Sequence, residues 1–370
     1  MQNDHILALL KKEIGQVKKD KSILLIVFIL PIILILIYGF GLSMDVKPVS
    51  VCIYDMDNSE FSKSLKKNFA GSDFFDVYYA RSLEQNNKIF YDNKVIATII
   101  IPKDCQRDIG INKANVLVSL DGSESFNAFI SLFYIKNTIQ KSLNDYLLQK
   151  GINQKSFSIN YRNWFNEENI SPIFLLPGQI VGIVTLIACF MCAIVIAREF
   201  DRDTFDGLKA TNITELEFLL SKFIPYYILS ILGAIVAFFV TFMLFDMPYR
   251  GSYVWGIAIM LVYIFTSVSL GLFVSILTKN QFLSCVLSVI ISFLPSILLS
   301  GVIFDLRAVS YFIQIIGYAL PPTYAVDAMR ICFLSGGSTL DLIYDFLFIL
   351  IFGMVIFMLT LHLLKRAFRC

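Results

Sequence analysis

Five ionisable residues, Arg198, Glu199, Asp201, Arg202 and Asp203, crowd the exit of one apolar stretch. Charges of alternating sign at that density pair with one another and present a patterned surface to a partner. Thr214 and Glu217 follow at the spacing of a capping box, so a helix is expected to open there and run through Leu219 and Lys222, softened by Pro225. A separate short helix is expected over residues 204–210. A plain connection would need only a few residues. Residues 198–222 are therefore expected to form a rigid, charged hairpin that docks a soluble partner; a solvated loop with incidental charges is the alternative.

Other spacings point to packing more than to chemistry. Ser284, Ser288, Ser292, Ser296 and Ser300 recur at every fourth position of one apolar stretch. Small residues so placed let helices approach closely, and their hydroxyls could also line a mildly polar substrate route. At 3.6 residues per turn the stripe drifts by about 40° per step, so it faces one neighbour throughout only if the helix bends, and Pro295 marks a place for that. Gly178 and Gly182 make a GxxxG read as packing. Cys189-x-x-Cys192 lies in an apolar stretch and reads as small packing residues, since free Cys buries readily. Cys52 and Cys105 could pair, which spacing cannot decide. No zinc-like spacing is found, no GxxxxGK[ST] phosphate loop occurs, and a net charge of +2 gives no nucleic-acid reading.

The elements that must position these residues follow from composition. The chain of 370 residues is 56% hydrophobic and only 16% charged, with a mean hydropathy of +0.69. A soluble domain carries nearer a quarter charged residues, so much of the chain faces something other than water. Six stretches approach membrane length: Ile23–Leu42, Gln179–Ala197, Phe223–Phe245, Val254–Leu277, Phe282–Ile303 and Leu342–Leu364. The first has a basic flank but too long an apolar core for a signal peptide, and reads as an uncleaved anchor. With the N-terminus inside, inner segments hold thirteen Lys and Arg and the short outer ones three, Arg250, Arg307 and Arg330. The positive-inside rule then places both termini in the cytoplasm and the polar block after the first span outside. The spans are expected to be empty of ionisable side chains, which mark proton relays and ion paths. That points away from proton- or sodium-driven transport and towards energy supplied from outside the membrane.

The polar block reads as a small α/β domain. VSVCIYDMD, FDVYY, VIATIII and NVLVSLDG read as strands, the third buried on both faces. Helices are expected after Asn58, after a capping box at Ser82 and Gln85, and over residues 123–150. A structural or partner-binding lobe is one reading and a ligand-sensing pocket the other. The expected fold class is an α-helical polytopic membrane protein of six transmembrane helices, one plus five, with an inserted extracytoplasmic α/β domain. Its parts are an amphipathic N-terminal helix (1–21), the first span (22–43), the external domain (44–172) and a five-helix unit (173–370). The last includes residues 304–341, amphipathic and interrupted by Pro321 and Pro322, expected to form short helices in the outer leaflet; Asp327 and Arg330 there can pair across one turn.

The chain resembles a family at this point, the transmembrane subunit of type-2 ABC exporters, in the multidrug-efflux-like branch with a large extracytoplasmic domain. LLKKEIGQVKKDKSILLIVFILPIILILIYGFGL resembles the family's inner-leaflet helix and first span, and DMDNSEFSKSL with VIATIIIPKDCQRDI its external domain. AREFDRDTFDGLKATNITELEFLLSKFIPY resembles its coupling segment, and LPSILLSGVIFDLRAVSYFIQIIGYALPPTYAVDAMR its outer hairpin. Two positions depart from the pattern: Asp203 stands where Gly is usual, and Asn212 where Pro is expected. The resemblance implies a permease subunit without catalytic residues, metal or cofactor of its own. ATP and magnesium would be bound by cytoplasmic ABC ATPase partners, and a second permease protomer would complete a homo- or heterodimer. Arg198, Glu199, Arg202, Thr204 and Gly207 would receive the ATPase stroke, and spans two and five would line the route. A bacterial inner (cytoplasmic) membrane, contact with membrane lipid, a possible periplasmic adaptor and outward movement of an amphipathic drug or lipid-like compound are implied as well. Leu334-Ser335-Gly336-Gly337-Ser338 is similar to an ABC ATPase signature but reads as a glycine-rich turn. A membrane-tethered sensor or scaffold, and a permease for polysaccharide or peptide, are the alternative functions.

Overall fold

The computed structural model describes residues 2–41, 48–92, 94–110, 114–121, 125–150, 171–211, 213–303, 306, 309–337 and 339–369. It divides into two compact units, residues 1–44 with 163–370, and residues 45–162. The upper limit drawn for the external domain at 172 falls beside residues 151–170, which lie outside the described residues.

The first unit is a helical bundle. Six helices are long and apolar enough to cross a membrane: Lys21–Gly41, Pro172–Asp201, Glu215–Phe245, Tyr253–Thr278, Gln281–Leu298 and Thr339–Arg369. The amphipathic helix Gln2–Lys19 precedes them. The second span is the hub, with 83% of its apolar window buried against 22–33% for the first, third, fifth and sixth. It packs on the third, fourth and fifth spans. Small residues allow the approach: a Cβ on Gly271 of the fourth span would sit 2.5 Å from the Cys189 carbonyl oxygen and 2.7 Å from Cys192 Cβ. Cys189 and Cys192 are buried free thiols in that contact. Across the same seam, Thr185 and Tyr263 share a buried hydroxyl–hydroxyl bond, and Ser275 Oγ accepts from the Ile196 and Ala197 amides at 3.0 and 2.8 Å.

The serine stripe shows how a four-residue repeat stays on one face. All five hydroxyl residues are buried, each at 3% exposure or less. A π-helical turn, Val289–Phe293, interrupts the fifth span just before Pro295. A π turn takes up about one extra residue relative to an α turn, which offsets the drift of the stripe. The opposite face, with Phe282, Ile290 and Leu298, is exposed, as a lipid-facing surface requires. Gly182 meets Ile297 and Ser296 of the fifth span, and Gly178 meets Val302 just after it and Val326 of a later short helix, so the GxxxG is a packing surface.

After the fifth span come the short helices Tyr311–Tyr318 and Pro321–Arg330. The two prolines open the second of these, where their missing N–H groups cost nothing. Of the residues resembling an ATPase signature, Ser338 lies outside the described residues. The rest end a π turn, with Gly336 at φ +63°; a Cβ there would approach the Arg250 carbonyl to 2.9 Å.

One expectation is corrected. The sixth span is not empty of ionisable side chains: it carries Asp345, only 5% exposed, and the exposed His362. The case against ion-coupled transport built on empty spans therefore fails at this helix.

The second unit carries a four-stranded sheet of order β2-β1-β3-β4: β1 Val49–Asp55, β2 Phe75–Ala80, β3 Ala97–Ile101 and β4 Leu117–Leu120. β1 pairs parallel with β2 and β3, and β4 is antiparallel to β3. Helices Glu60–Ala70, Leu83–Tyr91, Cys105–Ile109 and Ser125–Gln149 alternate with the strands. Ser82 caps the second by accepting from the Gln85 amide, while Gln85 reaches back to the Arg81 amide, one residue short of a reciprocal box. Cys52 and Cys105 are buried free thiols, so they do not pair.

Candidate functional site at the charged end of the bundle

The expected hairpin is a helix–turn–helix. The second span ends at Asp201, a short helix runs Thr204–Lys209, and the third span opens at Glu215. Thr214 and Glu217 form both halves of the capping box, with the Thr214 amide donating to Glu217 Oε2 at 2.8 Å. Asp203, which stands in place of the usual glycine, adopts φ +54°. That left-handed conformation is free for glycine and tolerated by Asp, so the departure keeps the backbone shape at a small conformational cost. Asn212 lies outside the described residues.

Beneath the hairpin sits a buried ionic network. Lys222 Nζ, on the third span, lies 2.5 Å from Glu199 Oε1 and 2.5 Å from Glu13 Oε1 of the N-terminal helix. Lys12 Nζ reaches the same Glu199 oxygen at 3.1 Å, and Thr204 donates its hydroxyl to Glu199 Oε2. Arg198 pairs with Asp20 at 3.3 Å. Glu13, Glu199 and Lys222 are each at most 5% exposed. Such charges hold their place only when paired and hydrogen-bonded, and removing one partner costs far more than the set contributes. The network thus fixes three separate stretches of chain in one geometry.

Aromatic rings clamp the short helix from below. Phe205 stacks on Phe200 at 4.2 Å and meets Phe218 and Phe368 edge-on at 5.8 and 5.2 Å. Lys209 and Lys279 lie over the rings of Phe205 and Phe200, a geometry in which a cation gains from the ring quadrupole. Asp201 accepts from the Gln281 amide at 2.7 Å, holding the start of the fifth span to the hairpin.

The five residues expected at this site divide into two groups. Arg198 and Glu199 point inward and are occupied by Asp20, Lys12, Lys222 and Thr204. Arg202, Thr204 and Gly207 are exposed, with Asp206 beside them, and a Cβ on Gly207 would meet nothing within 4 Å. Glu13, Lys222 and the four phenylalanines were missed as a cluster by sequence reasoning. Only a Glu on the N-terminal helix and a Lys just inside the third span hinted at it. The other candidates, the five serines with Gly178 and Gly182, are buried in the bundle, and of these Ser284 lies near this surface, one turn beyond Gln281. Among the described residues no group of three or more His, Cys, Asp or Glu is placed to hold a metal ion.

The arrangement holds the end of the second span, the short helix, the start of the third span and the N-terminal helix together through buried charge and stacked rings. Comparison with known proteins agrees with a transport role. Residues 21–362 match the family of ABC-2 family transporter proteins. Over 366 residues the chain is 30% identical to the probable multidrug ABC transporter permease YbhS of Escherichia coli (strain K12), covering 97% of this chain and 96% of that one. It is 24% identical over 339 residues to the probable multidrug ABC transporter permease YbhR of the same strain, covering 91% of each. With a match that spans nearly its whole length, six membrane-length helices and an inserted α/β lobe, the chain belongs to the ABC-2 transporter family.

Proposed function

We propose that this chain is the membrane subunit of an ATP-driven exporter, worked by cytoplasmic ATPase subunits docked against residues 198–222. The observation that carries the reading is the combination of a rigid base and an open top. The short helix Thr204–Lys209 is fixed from beneath by the ionic network and the phenylalanine cluster, while Arg202, Thr204, Asp206 and Gly207 stay exposed. A surface that must pass on a power stroke has to be stiff where it is anchored and free where it is touched. Thirteen Lys and Arg on the inner segments against three on the short outer ones support a cytoplasmic location for this end. In this reading the chain works as a homo- or heterodimer in a bacterial inner membrane. It moves an amphipathic drug or lipid-like compound outward, with ATP and magnesium held by the partner ATPase.

The test is co-purification of the tagged chain from its native host, with any ABC ATPase recovered identified by mass spectrometry. Recovery with the native chain and loss in Arg202→Glu with Asp206→Lys, at unchanged thermal stability, is the expected result. Exposed positions are chosen for the test because reversal of the buried Glu199 would break the base itself. Equal recovery with the double variant, or no ATPase with the native chain, would overturn the docking assignment.

A further inference from the structure

We propose that the groove between the third and fourth spans, at the end of the bundle away from the charged hairpin, holds one acyl chain of a membrane phospholipid whose phosphate sits on Arg250. The cavity there has a volume of about 360 Å³. Ala234, Met260, Ile264 and Met329 are buried and form its floor, while Ile235, Tyr253 and Ile257 are exposed along its opening. No charged side chain lines it, and the Tyr249 hydroxyl at its end is spent on the Ser252 carbonyl at 3.2 Å. The walls are already in place. Buried Phe333 backs Phe238 and Phe242, with near-parallel rings at 6.1 and 5.5 Å, so a guest enters without ordering them.

The groove has the length of one leaflet. Its walls run from Ile231 to Phe242 and from Tyr253 to Ile264, about 16 Å each at the rise of an α-helix, and half of a hydrocarbon core is about 15 Å. It begins at the helix ends, where Tyr249 and Tyr253 stack 4.4 Å apart, as tyrosines do at headgroup level. On the proposed orientation this is the outer leaflet. Arg250, exposed and next to Tyr249 in the chain, supplies a cation at that level, on a loop fixed by its own backbone N–H, which donates to the Cys332 carbonyl at 3.1 Å. Water does not fill an apolar cavity of this kind. Spread over its length, the volume leaves a mean cross-section of about 22 Å², too narrow for a helix of a second copy, about 10 Å across, and suited to a single methylene chain. The site rests on the spans lying in a bilayer and not on the exporter reading.

The experiment is photolabelling of the purified full-length chain in dodecyl maltoside micelles, without ATPase or nucleotide. The probe is a phosphatidylglycerol with a diazirine midway along one acyl chain, and labelled residues are located by tandem mass spectrometry. The detergent competes for every lipid-facing surface but carries no phosphate. Groove residues are expected to take up about three- to fivefold more label than the exposed Ile351, Met354 and Met358 of the sixth span, the worth of one exposed ion pair. Arg250→Gln is expected to remove that excess. A diacylglycerol with the same diazirine chain, lacking the phosphate, is expected to show none. Ile257→Trp, filling the groove from its exposed rim, is expected to abolish labelling of the floor, and Ile235→Trp does the same should the first fold poorly. Equal labelling of groove and sixth span in the native chain, or groove labelling unchanged in Arg250→Gln and both tryptophan variants, overturns the proposal. Equal labelling of the groove by the diacylglycerol overturns the phospholipid assignment. Groove labelling confined to the monomer fraction on size exclusion assigns the groove to a second copy and overturns it too. None of these failures touches the ATPase co-purification result, so the two readings fall separately.

Discussion

Lys222→Met isolates the ionic base of the hairpin. In the native chain the Lys222 ammonium lies 2.5 Å from one carboxylate of the N-terminal helix and 2.5 Å from one of the second span, with its side chain 3% exposed. Methionine keeps most of the volume and removes the charge. Two carboxylates then remain in a buried site; Glu199 keeps the Thr204 hydroxyl and Lys12, whose side chain is 38% exposed, and among the described residues no other cation is placed on Glu13. Stranding buried charge in this way costs about 3–5 kcal/mol. At about 2–4 °C per kcal/mol for a unit of this size, the melting temperature should fall by roughly 6–20 °C. The loss should be local before it is global, because Glu13 is the buried tie of the N-terminal helix to the third span, beside the more exposed Lys12–Glu199 and Asp20–Arg198 pairs. Limited trypsin should therefore cut at Lys18 or Lys19 earlier in the variant than in the native chain. The triple variant Lys222→Met, Glu13→Gln, Glu199→Gln has no stranded charge and should recover most of the loss. Melting of Lys222→Met within about 2 °C of the native chain, with unchanged trypsin protection, would refute the claim that this network holds the hairpin.

Three further outcomes are expected. Gly271→Ala should destabilise the bundle by about 1–3 kcal/mol through overpacking against the Cys189 carbonyl, whereas Gly207→Ala should be neutral or stabilising by up to about 1 kcal/mol; paired thermal melts compare them. Asp203→Gly, relieving a left-handed Asp, should raise the melting temperature slightly or leave it unchanged, and a clear fall would show that the Asp side chain has a role the backbone does not explain. In the lobe, burial raises the Asp55 carboxyl pKa, but Lys66 at 2.6 Å and the Asn58 and Asp57 amides outweigh it and hold the pKa below the usual value. A carboxyl depressed in the folded state stabilises above its unfolded pKa near about 3.9 and loses that contribution as pH falls through the folded value. Pepsin cleavage of the lobe should therefore accelerate as pH drops below about 4, and Asp55→Asn should be more susceptible at pH 5 and less dependent on pH below it.

The sequence showed the spans clearly, because twenty-residue apolar runs leave a helix as the only way to satisfy the backbone in lipid. Thr214 and Glu217 were equally legible, since a capping box is local chemistry. The strands of the lobe were visible as apolar runs, but their order was not: placing β1 between β2 and β3 is a long-range pairing that no local pattern encodes. The ionic network was hidden for the same reason, as Glu13 and Lys12 meet partners 209 and 187 residues away. Arg198 and Glu199 drew attention by charge, yet charge does not tell which way a side chain points at a helix end. Asp345 escaped because a single acid is outweighed by the leucines, isoleucines and phenylalanines on either side of it. The serine stripe was visible, but the π turn that keeps it facing the second span depends on tertiary packing.

The distance along the chain between Glu13 and Lys222 also sets an order for biosynthesis. Glu13 is made before the first span, but its cation is added only after the lobe and two spans have been synthesised. Until then the N-terminal helix must wait with an unneutralised acid at the edge of the bilayer. Closure of the network is therefore a late step, open only to chains whose first three spans have been threaded in the correct sense. A molecule inserted upside down at its second or third span would leave Glu13 and Lys222 on opposite sides of the lipid, and quality-control proteases would meet it with its N-terminal helix undocked.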